Sequence, residues 1–119
     1  MENFIVCNKY NSLMVDGYAD GSVVLSASPC KLMGVIAENV SGSTRWLQVH
    51  DGYELPANNA IPIVSFKMLT VTQTERYFDA IKGLDLSVGC VLAVSSTGPK
   101  LTVVTGSDTE GCFISAFWR

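Results

Sequence analysis

Short apolar runs, each closed by a cluster of turn-forming residues, recur from one end of the chain to the other, and that rhythm limits what it can fold into. The runs cover 4–8, 23–28, 31–39, 44–50, 61–69, 75–81, 90–96, 101–105 and 112–118. Between them stand VDGYADG, SGS, DGYELPANN, KGLD, STGPK and GSDTEG. In such stretches Gly supplies positive φ, Asn, Asp and Ser bond their own backbone, and Pro presets a turn. Runs this short, at near-regular spacing, predict strands rather than helices. The expectation is an all-β chain: a single antiparallel β-sandwich, jelly-roll- or Ig-like, of about eight or nine short strands.

Side-chain alternation supports this reading. Arg45, Leu47 and Val49 fall on one face of a strand, with Thr44, Trp46, Gln48 and His50 on the other. In the last run Cys112, Ile114, Ala116 and Trp118 share a face, opposite Phe113, Ser115 and Phe117. Both faces are apolar, so this strand is expected to be central, or covered on its outer side by a neighbouring subunit. The run from Lys31 to Ala37 has the same character. One segment is ambiguous. Thr72-Gln73-Thr74-Glu75 has the form of a helix capping box, and Tyr77, Phe78, Ile81 and Leu84 lie at helical spacing. Strand is preferred, because nothing else in the chain reads as helix.

At 119 residues the chain is one domain, able to bury a core without metal or disulfide help. Hydrophobic content of 48% against 16% charged argues against disorder and for burial against partners. The net charge is −3 and the eight Lys and Arg are scattered, which leaves no electrostatic footprint for nucleic acid. No apolar run approaches the roughly 18 residues that a membrane helix needs. The start MENFIVCNKYNSLMV has an acidic second residue and no basic lead, so it does not read as a signal peptide, and folding in a cytosol is expected. Cys7, Cys30, Cys90 and Cys112 form no Cys-x-x-Cys pair, and His50 is the sole histidine, so no zinc spacing is present. The cysteines are expected to be small apolar residues in a reducing compartment, and spacing assigns no disulfide among them.

Reactive side chains crowd into SGSTRWLQVHDGYELP, residues 41–56, yet they do not assemble a catalytic site. His50 and Asp51 are strand neighbours and point to opposite faces, so they cannot pair directly. Ser41, Ser43 and Thr44 sit in a turn without the nucleophile-elbow pattern. Asp16, Asp20, Asp51, Glu54, Asp85, Asp108 and Glu110 all lie in or beside turns, and no pair stands out as a glycosidase couple. DGYADG lacks the ligand pattern of a calcium loop. STGPK and VSGST lack the phosphate-cradle pattern and a following helix. Trp46, Tyr53, Tyr77, Phe117 and Trp118 could form a sugar-stacking platform, but large aromatics in β proteins are more often core or interface anchors. The residues predict no enzyme, no cofactor and no metal.

From Ser26 onward the order of features resembles a known family. SASPCKLMGVIAENVSGSTRWLQVHDGYELPANNAIPIVSF carries Lys31, Leu32, Gly34, Asn39, Arg45, Trp46, Leu47, Leu55, Pro56, Pro62 and Phe66 in that order. KGLDLSVGCVLAVSSTGP adds Gly83, Leu84, Gly89, Ala93, Ser95 and Thr97, and the chain closes on CFISAFWR. This pattern is similar to that of a family of small β-sandwich structural proteins of tailed bacteriophages. They serve as capsid decoration or cement proteins, head fibres or tail-associated domains. The resemblance covers 26–119 and brings no catalytic residues with it.

What it implies is a virion structural protein made in the host bacterial cytoplasm, with a decoration or cement role on the head exterior expected first. The partners implied are the major capsid protein or other virion proteins, in a homo-oligomer, commonly a trimer. The rival implication is a tail- or fibre-associated module that binds a host carbohydrate receptor. A third reading is an enzyme accessory or cellular carbohydrate-binding module. Residues 1–25 precede the resembling domain as an N-terminal arm or an extra edge strand. Candidate interface residues are Phe4, Tyr10, Tyr18, Trp46, Tyr53, Phe117 and Trp118.

Overall fold

A computed structural model describes residues 9–16, 22–39, 42–78, 83–102 and 111–118 of the chain. Among the described residues the regular structure is all strand: β1 (Lys9–Asp16), β2 (Ser22–Ser26), β3 (Cys30–Asn39), β4 (Arg45–Asp51), β5 (Val64–Met68), β6 (Thr72–Tyr77), β7 (Leu84–Leu86), β8 (Cys90–Ser95) and β9 (Gly111–Trp118). They form two antiparallel sheets, ordered β1-β9-β3-β6 and β2-β8-β4-β5, with β7 beside the first part of β3. The all-β sandwich expected from the punctuated apolar runs is therefore the observed fold.

The pairing has a simple order. β1 pairs with β9, β2 with β8, β3 with β6 and β7, and β4 with β5. The first half of the chain thus meets the second half in reverse, and successive pairs alternate between the sheets. This is the winding of a jelly roll, and it selects that fold from the two sandwich types expected.

Several boundaries differ from the sequence reading. The run at 4–8 lies outside the described residues, and the first strand observed is Lys9–Asp16. The strand expected at 75–81 is instead Thr72–Tyr77, with Thr72 opposite Asn39 and Tyr77 opposite Gly34. That pairing resolves the capping-box ambiguity in favour of strand. β7 begins within the KGLD punctuation, ends one residue beyond it and was not expected. Leu101 and Thr102 are not in a strand, and the rest of the run at 101–105 lies outside the described residues.

Alternation places the core between the sheets. Leu47 and Val49 of β4, Leu92 and Val94 of β8, and Ile114, Ala116 and Trp118 of β9 all join it. In β3 the simple period breaks, because the register with β9 shifts between Leu32 and Gly34. The extra residue resets the phase, so Leu32 and Val35, three apart, both reach the core. That bulge explains why the run from Lys31 to Ala37 reads as apolar on both faces.

β4 and β8 are also covered on their outer side. Gln48, Val91, Ala93 and Leu101 are fully buried outside the main core cluster. The segments 57–60 and 96–102 provide the cover, joined by hydrogen bonds from Asn59 N to Leu101 O (2.7 Å) and from Leu101 N to Ala60 O (2.9 Å). Gln48 Nε2 donates to the carbonyls of Thr97 (3.2 Å) and Gly98 (3.1 Å), which ties this strap to the sheet.

Candidate assembly surface

The crowded segment 41–56 resolves into two structural roles. His50 is 6% exposed, and its Nε2 lies 3.0 Å from Gln48 Oε1 on the outer side of β4. Burial lowers its pKa from the usual 6.5. Asp51 faces the other way and its carboxylate accepts four hydrogen bonds. Ser87 N and Ser87 Oγ donate to Oδ2, and Val88 N and Gly89 N donate to Oδ1, at 2.8–3.2 Å. The two residues are thus separated as strand alternation requires, His50 against the Gln48 side chain and Asp51 on the Ser87–Gly89 turn. Among the described residues no group of three or more His, Cys, Asp or Glu side chains could hold a metal ion.

The opposite side of the molecule is different in kind. Across the β1-β9-β3-β6 sheet, backbone register aligns Tyr10, Phe117, Gly34 and Tyr77 in one row, and Phe117 and Tyr77 present their rings on the outer face. No charged residue stands in that row. Gly34 sets its shape, since a Cβ there would lie 2.8 Å from Tyr77 Cδ1. The bare backbone lets the tyrosine ring settle over β3. Tyr77, Gly34, Met33 and Phe117 line an open apolar groove of about 230 Å³. Tyr77 remains 62% exposed, and its hydroxyl donates to Glu75 Oε1 at 3.2 Å, which holds the ring at the groove's edge. The groove offers shape and apolar area without a polar anchor, so its chemistry suits packing rather than catalysis.

The residues singled out from sequence are dispersed. Phe117 lines the groove and Tyr10 lies in its row, on β1. Trp118 faces inward, 6% exposed, as part of the core. Trp46 lies on the outer side of the other sheet. Gly98 packs against its indole so closely that a Cβ would come within 2.8 Å of Nε1, and Lys67 Nζ stands 5.9 Å from its ring centroid. Tyr53 is exposed in the loop after β4. Phe4 and Tyr18 lie outside the described residues. Trp46 and the Tyr77–Phe117 pair are thus on opposite outer faces and do not share a platform.

Sequence reasoning named Tyr77 only within a sugar-stacking platform and did not single out Gly34 or Met33 as surface residues. The one signal pointing there was the double apolar character of the last strand. The register that brings residues 34, 77 and 117 together is invisible without the fold.

No family model and no curated protein matches the chain. Among solved structures it is similar to the coat protein of Tobacco streak virus, at 14% identity and a TM-score of 0.40, over 97% of this chain and 90% of that one. A likeness that distant carries no argument, and the jelly roll stands on the pairing of its own strands. None of these comparisons shows the tailed-phage family that residues 26–119 resemble.

Proposed function

We propose that the chain is a non-enzymatic structural protein of a virus particle, a decoration or cement protein on the exterior of a tailed-phage head. It acts as a homo-oligomer, with a trimer expected, bound to the major capsid protein. The observation that carries this reading is the uncharged aromatic row and groove on the outer face of an otherwise complete jelly roll. The jelly roll is an architecture that viral capsid domains share with lectins and cupins. A cement role needs a stable closed sandwich, a face for packing and many weak contacts multiplied by symmetry.

The occupant of the groove is a second copy of this chain. The row spans β1, β9, β3 and β6, so a copy seated there contacts the whole sheet, and the low charge of the chain lowers the desolvation cost. The pairing of Lys9–Asp16 with β9 supports the edge-strand reading of that part of 1–25. Phe4 and Tyr18 remain proposed as contacts of the flanking residues. The carbohydrate-receptor reading draws no support from the aromatics, which are divided between two faces.

Size-exclusion chromatography with light scattering on the full chain tests the surface. The wild type is expected to run as a trimer, and Tyr77→Asp, at an exposed position, is expected to yield a folded monomer. A strictly monomeric wild type, or an oligomer unchanged by Tyr77→Asp, contradicts the proposal.

A further inference from the structure

After β2 the chain crosses from one sheet to the other. Ser26, the last residue of β2, is the register partner of Cys90 in β8. Antiparallel partners lie about 5 Å apart at Cα. Ser26 Oγ donates to Ser28 O (2.9 Å) and accepts from Ser28 N (3.3 Å), tightening the crossing. The chain then enters the opposite sheet at Cys30, the first residue of β3. Close packing at this corner is independently visible at Gly89, where a Cβ would lie 2.5 Å from Ser26 O and 2.3 Å from Gly52 O. Cys30 packs against the core cluster that contains Cys90, close enough for its thiol to act on the Cys90 thiol.

We propose that Cys30 and Cys90 are a latent inter-sheet disulfide site, closed by thiol–disulfide exchange with a low-molecular-weight disulfide when the chain meets an oxidising environment. The two residues bridge opposite sheets and are distant in sequence, so the bond would clamp the sandwich at its crossover corner. Half-buried Cys30 is the entry point, whereas Cys90 is fully buried. Burial first, then the Cys30 thiol and the charge of Asp51, push the Cys90 thiol up to about 12, so it does not react first.

The exchange runs in two steps. The Cys30 thiolate attacks one sulfur of the small disulfide, forming a mixed disulfide and releasing one small thiolate. The Cys90 thiolate then attacks the Cys30 sulfur, forming the protein disulfide and releasing the second. Two protein thiols are oxidised and one small disulfide is reduced to two thiols, with both protein protons passing to the released thiolates. The site is independent of the virion reading, since it depends only on the fold.

The test incubates the full chain with oxidised glutathione and maps tryptic peptides without reduction. A linked pair joining peptides 10–31 and 83–100 is expected as the main protein disulfide, accompanied by a rise in Tm on the order of 10 °C. Cys30→Ser, which retains a small side chain at a half-buried position, is expected to abolish both the link and the Tm rise. Persistent glutathione on Cys30 with no link to Cys90 overturns the proposal, as does linkage of Cys90 to Cys7 or Cys112 instead. A link that forms equally fast in denaturant also overturns it, because the fold would then contribute nothing.

Discussion

Asp51 holds more structure than its half-exposed position suggests. Its four hydrogen bonds fix the Ser87–Gly89 turn that leads into β8, so Asp51→Ala is expected to lower stability by about 1–2 kcal/mol in urea unfolding. Partial burial raises its carboxyl pKa, but the N–H groups of Val88, Gly89 and Ser87, with the Ser87 hydroxyl, outweigh that and hold it below the ordinary 3.8. Because the folded value is depressed, the contribution is present above 3.8 and is lost as pH falls through the lower folded value. Wild type and Asp51→Ala should therefore converge in stability on acidification, and a constant gap would contradict the assignment. His50 acts at a higher pH. Its folded pKa is lowered, so the unfolded chain takes up the proton first and stability should decline as pH drops below 6.5. Gly89 shows the opposite sensitivity, to size. A methyl group there meets two backbone carbonyls, so Gly89→Ala is expected to cost about 3 kcal/mol or more, read as a fall in denaturation midpoint.

At the scale of elements, legibility follows how strongly a strand is buried. β3, β4, β8 and β9 carry most of the core, and their apolar runs fell within a residue or two of the observed bounds. β1 mixes Asn and Ser with Leu, Met and Val, and β6 begins Thr-Gln-Thr. Both are edge strands of their sheet, where one row of backbone bonding is unused and apolar content is a weak guide. β7 is three residues long and was hidden within a turn signal. The cover over β4 escaped the sequence reading for a different reason: Gln48 is polar, yet fully buried because the 96–102 strap supplies it with carbonyl partners. Gln48→Leu would leave those carbonyls and His50 without their partner, so a loss of about 2–3 kcal/mol is expected. Amide exchange at Leu101 should accelerate in the same variant, since its N–H ties the strap to Ala60 O. Unchanged exchange there would show that the strap is held by other contacts.

For the whole molecule, the chemistry and the surface were legible to different degrees. That His50 and Asp51 could not pair followed from strand alternation alone, and the structure adds what each one holds. The groove was out of reach, because Gly34, Tyr77 and Phe117 come from three strands and meet only through the register of β3 with β6 and β9. The Cys30–Cys90 contact was hidden in the same way, by the crossing from one sheet to the other. The central claim is that this jelly roll packs into a particle through the outer face of its β1-β9-β3-β6 sheet. Electron microscopy of purified virus particles, at a resolution that traces the chain, tests it most directly. The account predicts copies on the head exterior with the Tyr77–Phe117 groove closed by a neighbouring copy. Particles that lack the chain, or that carry it with this groove open to solvent, would contradict it.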